Sequence, residues 1–199
     1  MFSSFAAIGS SQPLCRLGKR MEIAIRNYLA GSYLLESSPQ NWDAIVILDS
    51  ELCESEFINE YTRNHLFLRF DDVVTPATGK RPPTVDQIES AMNFASDSNR
   101  LLVCCRAGQS RSAATAFSIA YDKLGVDIAI GLLNPKRHAP NTLIIDLAAN
   151  IIDDPMFATT FHDWQNANLH IRLTDYVEEI ANEMDVLESN GARNRIVHS

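Results

Sequence analysis

No run of about 18 consecutive apolar residues occurs in this sequence, so no transmembrane helix is indicated. The N-terminus, Met1-Phe2-Ser3-Ser4-Phe5, lacks a charged start followed by a long apolar stretch, and does not read as a secretory signal. A basic excess is missing too. Lys and Arg number 17 against 25 Asp and Glu, for a formal net charge of -8, which argues against general nucleic-acid binding. Cysteine is sparse: Cys15, Cys53, Cys104 and Cys105 fit neither a metal-ligand spacing nor a disulfide framework. A cytoplasmic, reducing location is therefore expected. The histidines (His65, His138, His162, His170 and His198) show no spacing that suggests a metal site or a base for a nucleophile. No metal or cofactor is expected, no internal repeat is visible, and nothing specifies an oligomeric state.

What is present is enough apolar residue, 46% of the chain, for one domain with a real core. Ala44 to Leu48 is a continuous β-favouring run after a turn-rich segment, and predicts a buried strand. His65 to Phe70 alternates and predicts another; Leu101 to Cys104 predicts a third. Phe5 to Ile8 is a further candidate strand, and Lys19 to Leu35 fits neither the strand nor the helix period. Thr84 and Gln87 have the form of a capping box, with Val85, Ile88, Met92 and Ala95 following at helical spacing. Further helices are expected at Ser110 to Leu124, stopped by Gly125, at Asp127 to Leu133, at Asn141 to Ile152 and at Met156 to Asn166. A long one runs from about Leu169 to Glu188. Its acids (Asp175, Glu178, Glu179, Glu183, Asp185 and Glu188) have no Lys or Arg among them, and read as a solvated face or a surface for a basic partner. The resulting class is α/β, with a central mixed, mainly parallel sheet and helices on both faces. Residues 1–189 form the domain and 190–199 a polar tail expected to be mobile.

The chemistry concentrates in Cys104-Cys105-Arg106-Ala107-Gly108-Gln109-Ser110-Arg111-Ser112, between a strand and a buried helix. A loop wrapped from a strand end to a helix N-terminus directs several backbone N–H groups at one point, which suits an anion. Arg111 closes such a site with a planar fork matched to two phosphate oxygens. A thiol held in that positive field ionises more readily than a free one and becomes a nucleophile toward phosphorus. A buried cysteine pair merely ending a core strand leaves Arg111 without a task.

These residues resemble the His-Cys-x-x-Gly-x-x-Arg-Ser/Thr signature of the cysteine-dependent protein tyrosine and dual-specificity phosphatases. Cys105, Gly108, Arg111 and Ser112 stand in register, while Cys104 occupies the histidine position. The resemblance implies that Cys105 is the nucleophile and that residues Arg106 to Arg111 (Arg106, Ala107, Gly108, Gln109, Ser110 and Arg111) bind phosphate. It implies that the Ser112 hydroxyl assists the thiolate as leaving group, and that a histidine at position 104 would help order the loop. It also implies an aspartate general acid a little over thirty residues upstream. Asp72 lies 33 residues before Cys105 and Asp71 lies 34. Asp72 is favoured because Pro76 resembles the spacing of a bacterial branch, and Asp71 is the alternative. Arg137-His138-Ala139-Pro140-Asn141 matches a dual-specificity pattern in which the asparagine, here Asn141, braces the phosphate loop. The Lys-Asn-Arg-Tyr segment of the larger tyrosine-specific domains is absent, which favours the compact type.

The resemblance spans roughly Ala44 to Ile152 and leaves the long C-terminal helix unaccounted for. It implies a phosphatase acting on a phosphorylated protein or a small phosphomonoester, with neither nucleic acid nor membrane as partner. Two other readings stand beside it. One is a phosphate-binding pseudophosphatase, favoured by the loss of the histidine. The other is a rhodanese-like sulfurtransferase, which usually has fewer residues between cysteine and arginine and needs no upstream aspartate.

Overall fold

The structure, a computed structural model, describes residues 21–75, 77–169 and 173–198. The candidate strand Phe5 to Ile8, together with Cys15, Pro76 and His170, lies outside the described residues. In chain order the elements are β1 (Glu22–Asn27), α1 (Tyr28–Ser37), β2 (Asp43–Leu48), β3 (Cys53–Glu54), α2 (Phe57–Tyr61), β4 (Asn64–Arg69), α3 (Val85–Ala95), β5 (Arg100–Cys105), α4 (Arg111–Leu124), α5 (Val126–Leu132), α6 (Thr142–Ala149), α7 (Met156–Ala167), α8 (Leu173–Ser189) and β6 (Val197–His198).

Four strands make one sheet in the order β1-β5-β2-β4. The α/β class is as expected, but every pair in this sheet is parallel. Antiparallel pairing among the described residues is confined to a separate ribbon of β3 and β6. Covering on both faces explains why β2 is apolar without alternation: all six of its residues are buried. Side chains of β5 divide by parity between two cores. Leu101, Val103 and Cys105 face a core built with Ile88, Ala113, Phe117 and Phe161 from the helices after β4. Leu102 and Cys104 face the other, with Tyr28, Leu35, Phe57, Ile58 and Ile196.

The ambiguous stretch before residue 35 is a strand running into a helix with no loop between them. Asn27 ends β1 and also caps α1, its Oδ1 accepting from the Ala30 N–H at 2.7 Å. Two periods abutting at one residue leave neither legible. Thr84 and Gln87 do form the capping box of α3, and Gly125, at φ 94°, stops α4. The tail differs from expectation. Ala192 and Ile196 are buried, the Arg195 N–H donates to Ser32 Oγ at 2.9 Å, and Val197 pairs with Glu54. Two apolar side chains among polar ones are enough to pin a short segment against α1. Among the described residues, no helix is long and apolar enough to cross a membrane.

A parallel sheet carries the C-terminal ends of its strands to one edge, where such folds bind ligands. That edge brings together Asn27, Asp49, Phe70 and Cys105, each at or just past the end of its strand.

Candidate active site

The loop from Cys105 to Arg111 rests on the junction of β1 and α1. Gly108 has φ 69°, and a Cβ there would lie 2.5 Å from the Asn27 nitrogen and 2.6 Å from the Arg26 carbonyl carbon. Both the conformation and the close approach require glycine. On the other side the segment before α6 holds the loop, with the Ala139 N–H donating to Gln109 O and the Asn141 N–H to Ser110 O. His138 supports that segment, its Nδ1 accepting from the Asn134 N–H at 3.1 Å. Burial, with Arg137 and Arg26 nearby, pushes its pKa down to about 4, so the ring is neutral near pH 7.

Cys105 is almost fully buried, and its Sγ lies 3.1 Å from Ser112 Oγ. Arg111 is also buried, its Nη1 donating to Asp49 Oδ1 at 2.6 Å and to Phe70 O at 2.9 Å. Burial alone would lower the arginine's pKa, but the charges of Cys105, Asp49 and Asp72 outweigh it and hold the guanidinium ionised. Arg111 Nε has no hydrogen-bond acceptor in the protein and lies 3.8 Å from Asp72 Oδ2. Gln109 is buried with its Nε2 likewise unpartnered. Arg106 is exposed at the rim, 3.8 Å from Asp49 Oδ2.

The two candidate acids have different surroundings. Asp71 is turned into the protein, accepting from the Ser50 hydroxyl at 2.9 Å, the Arg81 N–H at 2.8 Å and the Ser50 N–H at 3.4 Å. Asp72 is part-exposed and faces the loop, its Oδ1 accepting from Ser110 Oγ and from Asn141 Nδ2, each at 2.8 Å. Asn141 thus does three things: it bonds the loop backbone, donates to Asp72, and starts α6 by accepting from the Ile144 N–H at 3.2 Å.

Burial would push the Asp71 carboxyl up, but the donors from Arg81 and Ser50, together with nearby Lys80, hold it below the usual carboxylate range. A depressed native pKa means that the unfolded chain takes up the proton first as pH falls. The contribution of Asp71 is therefore complete above the ordinary value of about 3.9 and is lost as pH falls through the lowered native one. Asp71→Asn is expected to cost about 1–3 kcal/mol at neutral pH. Urea unfolding of both proteins checks this, and the difference should shrink toward acid pH.

Cys104 points away from the loop. It is fully buried in the core beneath α1, where a Cβ on Gly31 would stand 3.7 Å from its Cβ and 3.0 Å from Ile196 Cδ1. Burial and the adjacent Cys105 raise its thiol pKa and keep it neutral. A histidine there would overpack this face. Cys104→His is expected to lose about 1–3 kcal/mol; an unfolding midpoint equal to wild type would show that the space exists.

Asp49, Asn27 and Tyr28 were not singled out from the sequence. Asp49 had a signal, a carboxylate directly after a buried strand, on the sheet edge where Cys105 ends β5. Tyr28 had none, because its role depends on the abrupt change from β1 to α1. Its hydroxyl donates to Ile47 O at 2.6 Å.

No protein-family model matches the chain, and no curated protein matches it. Solved structures similar to it are phosphatases. The PTP-2 phosphatase of Cydia pomonella is 17% identical, with 66% of this chain and 86% of that one covered and a TM-score of 0.48. PTPMT1 in complex with PI(5)P is 14% identical over 73% and 90% of the two chains, at a TM-score of 0.43. Human DUSP28 is 15% identical over 75% and 95%, at 0.38. At these identities and scores the activity has to be read from the site itself.

Proposed function

We propose that the chain is a cysteine-dependent phosphatase, hydrolysing phosphomonoesters through a cysteinyl-phosphate intermediate. The observation that carries the reading is the convergence of Cys105, Ser112, Arg111 and Asp72 on one loop at the C-terminal edge of the sheet. In the first step Cys105 Sγ bonds to phosphorus, the phosphorus–oxygen bond to the leaving group breaks, and Asp72 gives that oxygen its proton. In the second, water attacks phosphorus and gives a proton to the Asp72 carboxylate. The sulfur–phosphorus bond breaks, and the departing thiolate accepts a hydrogen bond from Ser112. Ser110 and Asn141 hold Asp72 toward the loop throughout. The substrate is a phosphorylated protein side chain or a small phosphomonoester. The described cysteines (Cys53, Cys104 and Cys105) are free thiols, which suits a reducing compartment such as the cytoplasm.

Acid-quenched mixing with an aryl phosphate, followed by intact-mass and peptide analysis, tests the reading. One phosphoryl group on the peptide containing Cys105 is expected; hydrolysis without any such adduct would overturn the covalent route. Asp72→Asn is expected to lose about 10²–10⁴-fold on an alkyl phosphate. The loss should be smaller on an activated aryl phosphate, whose leaving group needs less help. If Asp71→Asn shows that dependence and Asp72→Asn does not, the acid moves one residue.

A phosphate binder without catalysis is the second reading, favoured by the 2.6 Å ion pair that already engages Arg111 with Asp49. It predicts phosphate binding with no adduct and no turnover.

A further inference from the structure

β1 is an edge strand, paired with β5 on one side and with no described strand on the other. Along it lies a cavity of about 390 Å³, lined by five consecutive residues of the strand, 22–26. Leu34 and Trp42 line it from one face of the sheet and Leu132 from the other. Three arginines, Arg26, Arg100 and Arg137, line it as well. Arg100 is paired: its Nε donates to Glu22 Oε2 at 2.8 Å, and its guanidinium stacks 4.2 Å from the centre of the Trp42 ring. Arg137 stands against Glu183 of α8, Nη2 to Oε2 2.5 Å, but its Nε is buried with no acceptor in the protein. The Arg26 side chain donates only to the Ile25 carbonyl, at 2.8 Å, and touches no described carboxylate. Burial and the charge of Arg137 lower the Arg26 pKa, and Glu183 opposes them from a distance. The remaining polar lining, Asn134 and neutral His138, adds no charge. Three guanidiniums therefore meet two carboxylates, and one positive charge is left unbalanced in a part-buried place. Such a charge draws a counter-ion more strongly than one in water, and a buried donor like Arg137 Nε is ordinarily satisfied.

We propose that this cavity is a second anion site, in which an oxyanion, the carboxylate or phosphate group of a small ligand, bridges Arg26 and Arg137. A guanidinium presents parallel N–H donors suited to two oxygens of such a group. The volume falls in the range of small-molecule sites, about 300–1,000 Å³. None of residues 105–112 lines the cavity, so its ligand is distinct from any substrate of Cys105. The two sites are neighbours through main chain alone: the Arg26 carbonyl lies against Gly108, and Ala139, next to His138, donates its N–H to Gln109 O.

Trp42 lines the cavity and reports on it once the other tryptophan, Trp164 of α7, is changed to Phe. The intact chain carrying Trp164→Phe is titrated with sodium sulfate and with sodium malonate at constant ionic strength, following Trp42 emission. A saturable change is expected with at least one of them, and the tighter anion tells whether the ligand is of the phosphate or the carboxylate type. Adding Arg26→Gln or Arg137→Gln should weaken binding at least about tenfold, the lower end of what a hydrogen bond to a charged group contributes. Adding Glu183→Gln should tighten it several-fold, because the competing carboxylate is gone, and a misfolded variant cannot produce such a gain. Adding Arg111→Lys should leave the curve where it was. A curve that Arg111→Lys abolishes and Arg26→Gln spares would mean that the phosphate loop alone holds the anion. No saturable change with either anion would overturn the site as well.

Discussion

Cys105→Ser is expected to abolish turnover of an aryl phosphate while inorganic phosphate still binds. Serine keeps nearly the same volume in a site where Sγ is almost fully buried and 3.1 Å from Ser112 Oγ. What it removes is an ionisable nucleophile. A hydroxyl remains protonated at neutral pH unless a base takes its proton, and here its nearest polar neighbour is another hydroxyl. Asp72 is held by Ser110 and Asn141 and faces the loop. The loss should reach about 10⁴–10⁶-fold, the scale on which nucleophile removal has been measured in other enzymes. Binding is expected to rest instead on the loop amides and Arg111, which the substitution leaves in place. Phosphate release measures the first quantity and calorimetric titration with inorganic phosphate the second. Turnover within tenfold of wild type would remove Cys105 from the mechanism. Loss of phosphate binding along with turnover would instead mean that the loop had collapsed.

How much of this could be read in advance depended on the range over which each signal acts. The strand–loop–helix around Cys105 was legible because every part of it is local. β5 is a short apolar run, Gly108 supplies the one positive φ in the loop, and α4 is buried nearly all round. The capping box at Thr84 was legible for the same reason. The five residues of α2 and the two of β3 are too short for any period to register. The tail misled because its composition is polar on average, while its position is set by two buried side chains, Ala192 and Ile196, and by main-chain bonds of Arg195 and Val197. The pairing of Arg111 with Asp49 joins the start of α4, which follows β5, to the end of β2, segments that the sequence places far apart and the sheet brings side by side. Likewise, spacing favours Asp72 over the adjacent Asp71 but leaves Asp71 as an alternative. The partners of each, Ser50 and Arg81 for one, Ser110 and Asn141 for the other, give them different surroundings.

Arg111→Lys is expected to cost about 10²–10³-fold in kcat/KM although the charge is kept, the scale on which a transition state loses one well-placed donor. The guanidinium divides its work. Nη1 is anchored by Asp49 and by the Phe70 carbonyl, which fixes the plane of the fork. Nε is buried without an acceptor in the protein and lies on the side of Asp72, the proposed acid. A phosphoryl group in the loop therefore meets a donor whose orientation is already set, and no reorganisation is needed as charge builds on its oxygens. A lysine ammonium can replace one of these functions at a time. If it reaches Asp49, it neutralises that carboxylate and presents no second donor at the Nε position. If it turns to the phosphate, half-buried Asp49 is left with Arg106 alone, at 3.8 Å, which carries its own cost. Arg111→Lys should accordingly weaken binding of inorganic phosphate as well as slow turnover, and Asp49→Asn should partly restore binding in the double variant by removing the stranded charge. Steady-state kinetics and phosphate titration of the three proteins decide the matter. A Lys variant with near wild-type kcat and KM would show that Arg111 serves only to tie the ends of β2 and β4 to the helix.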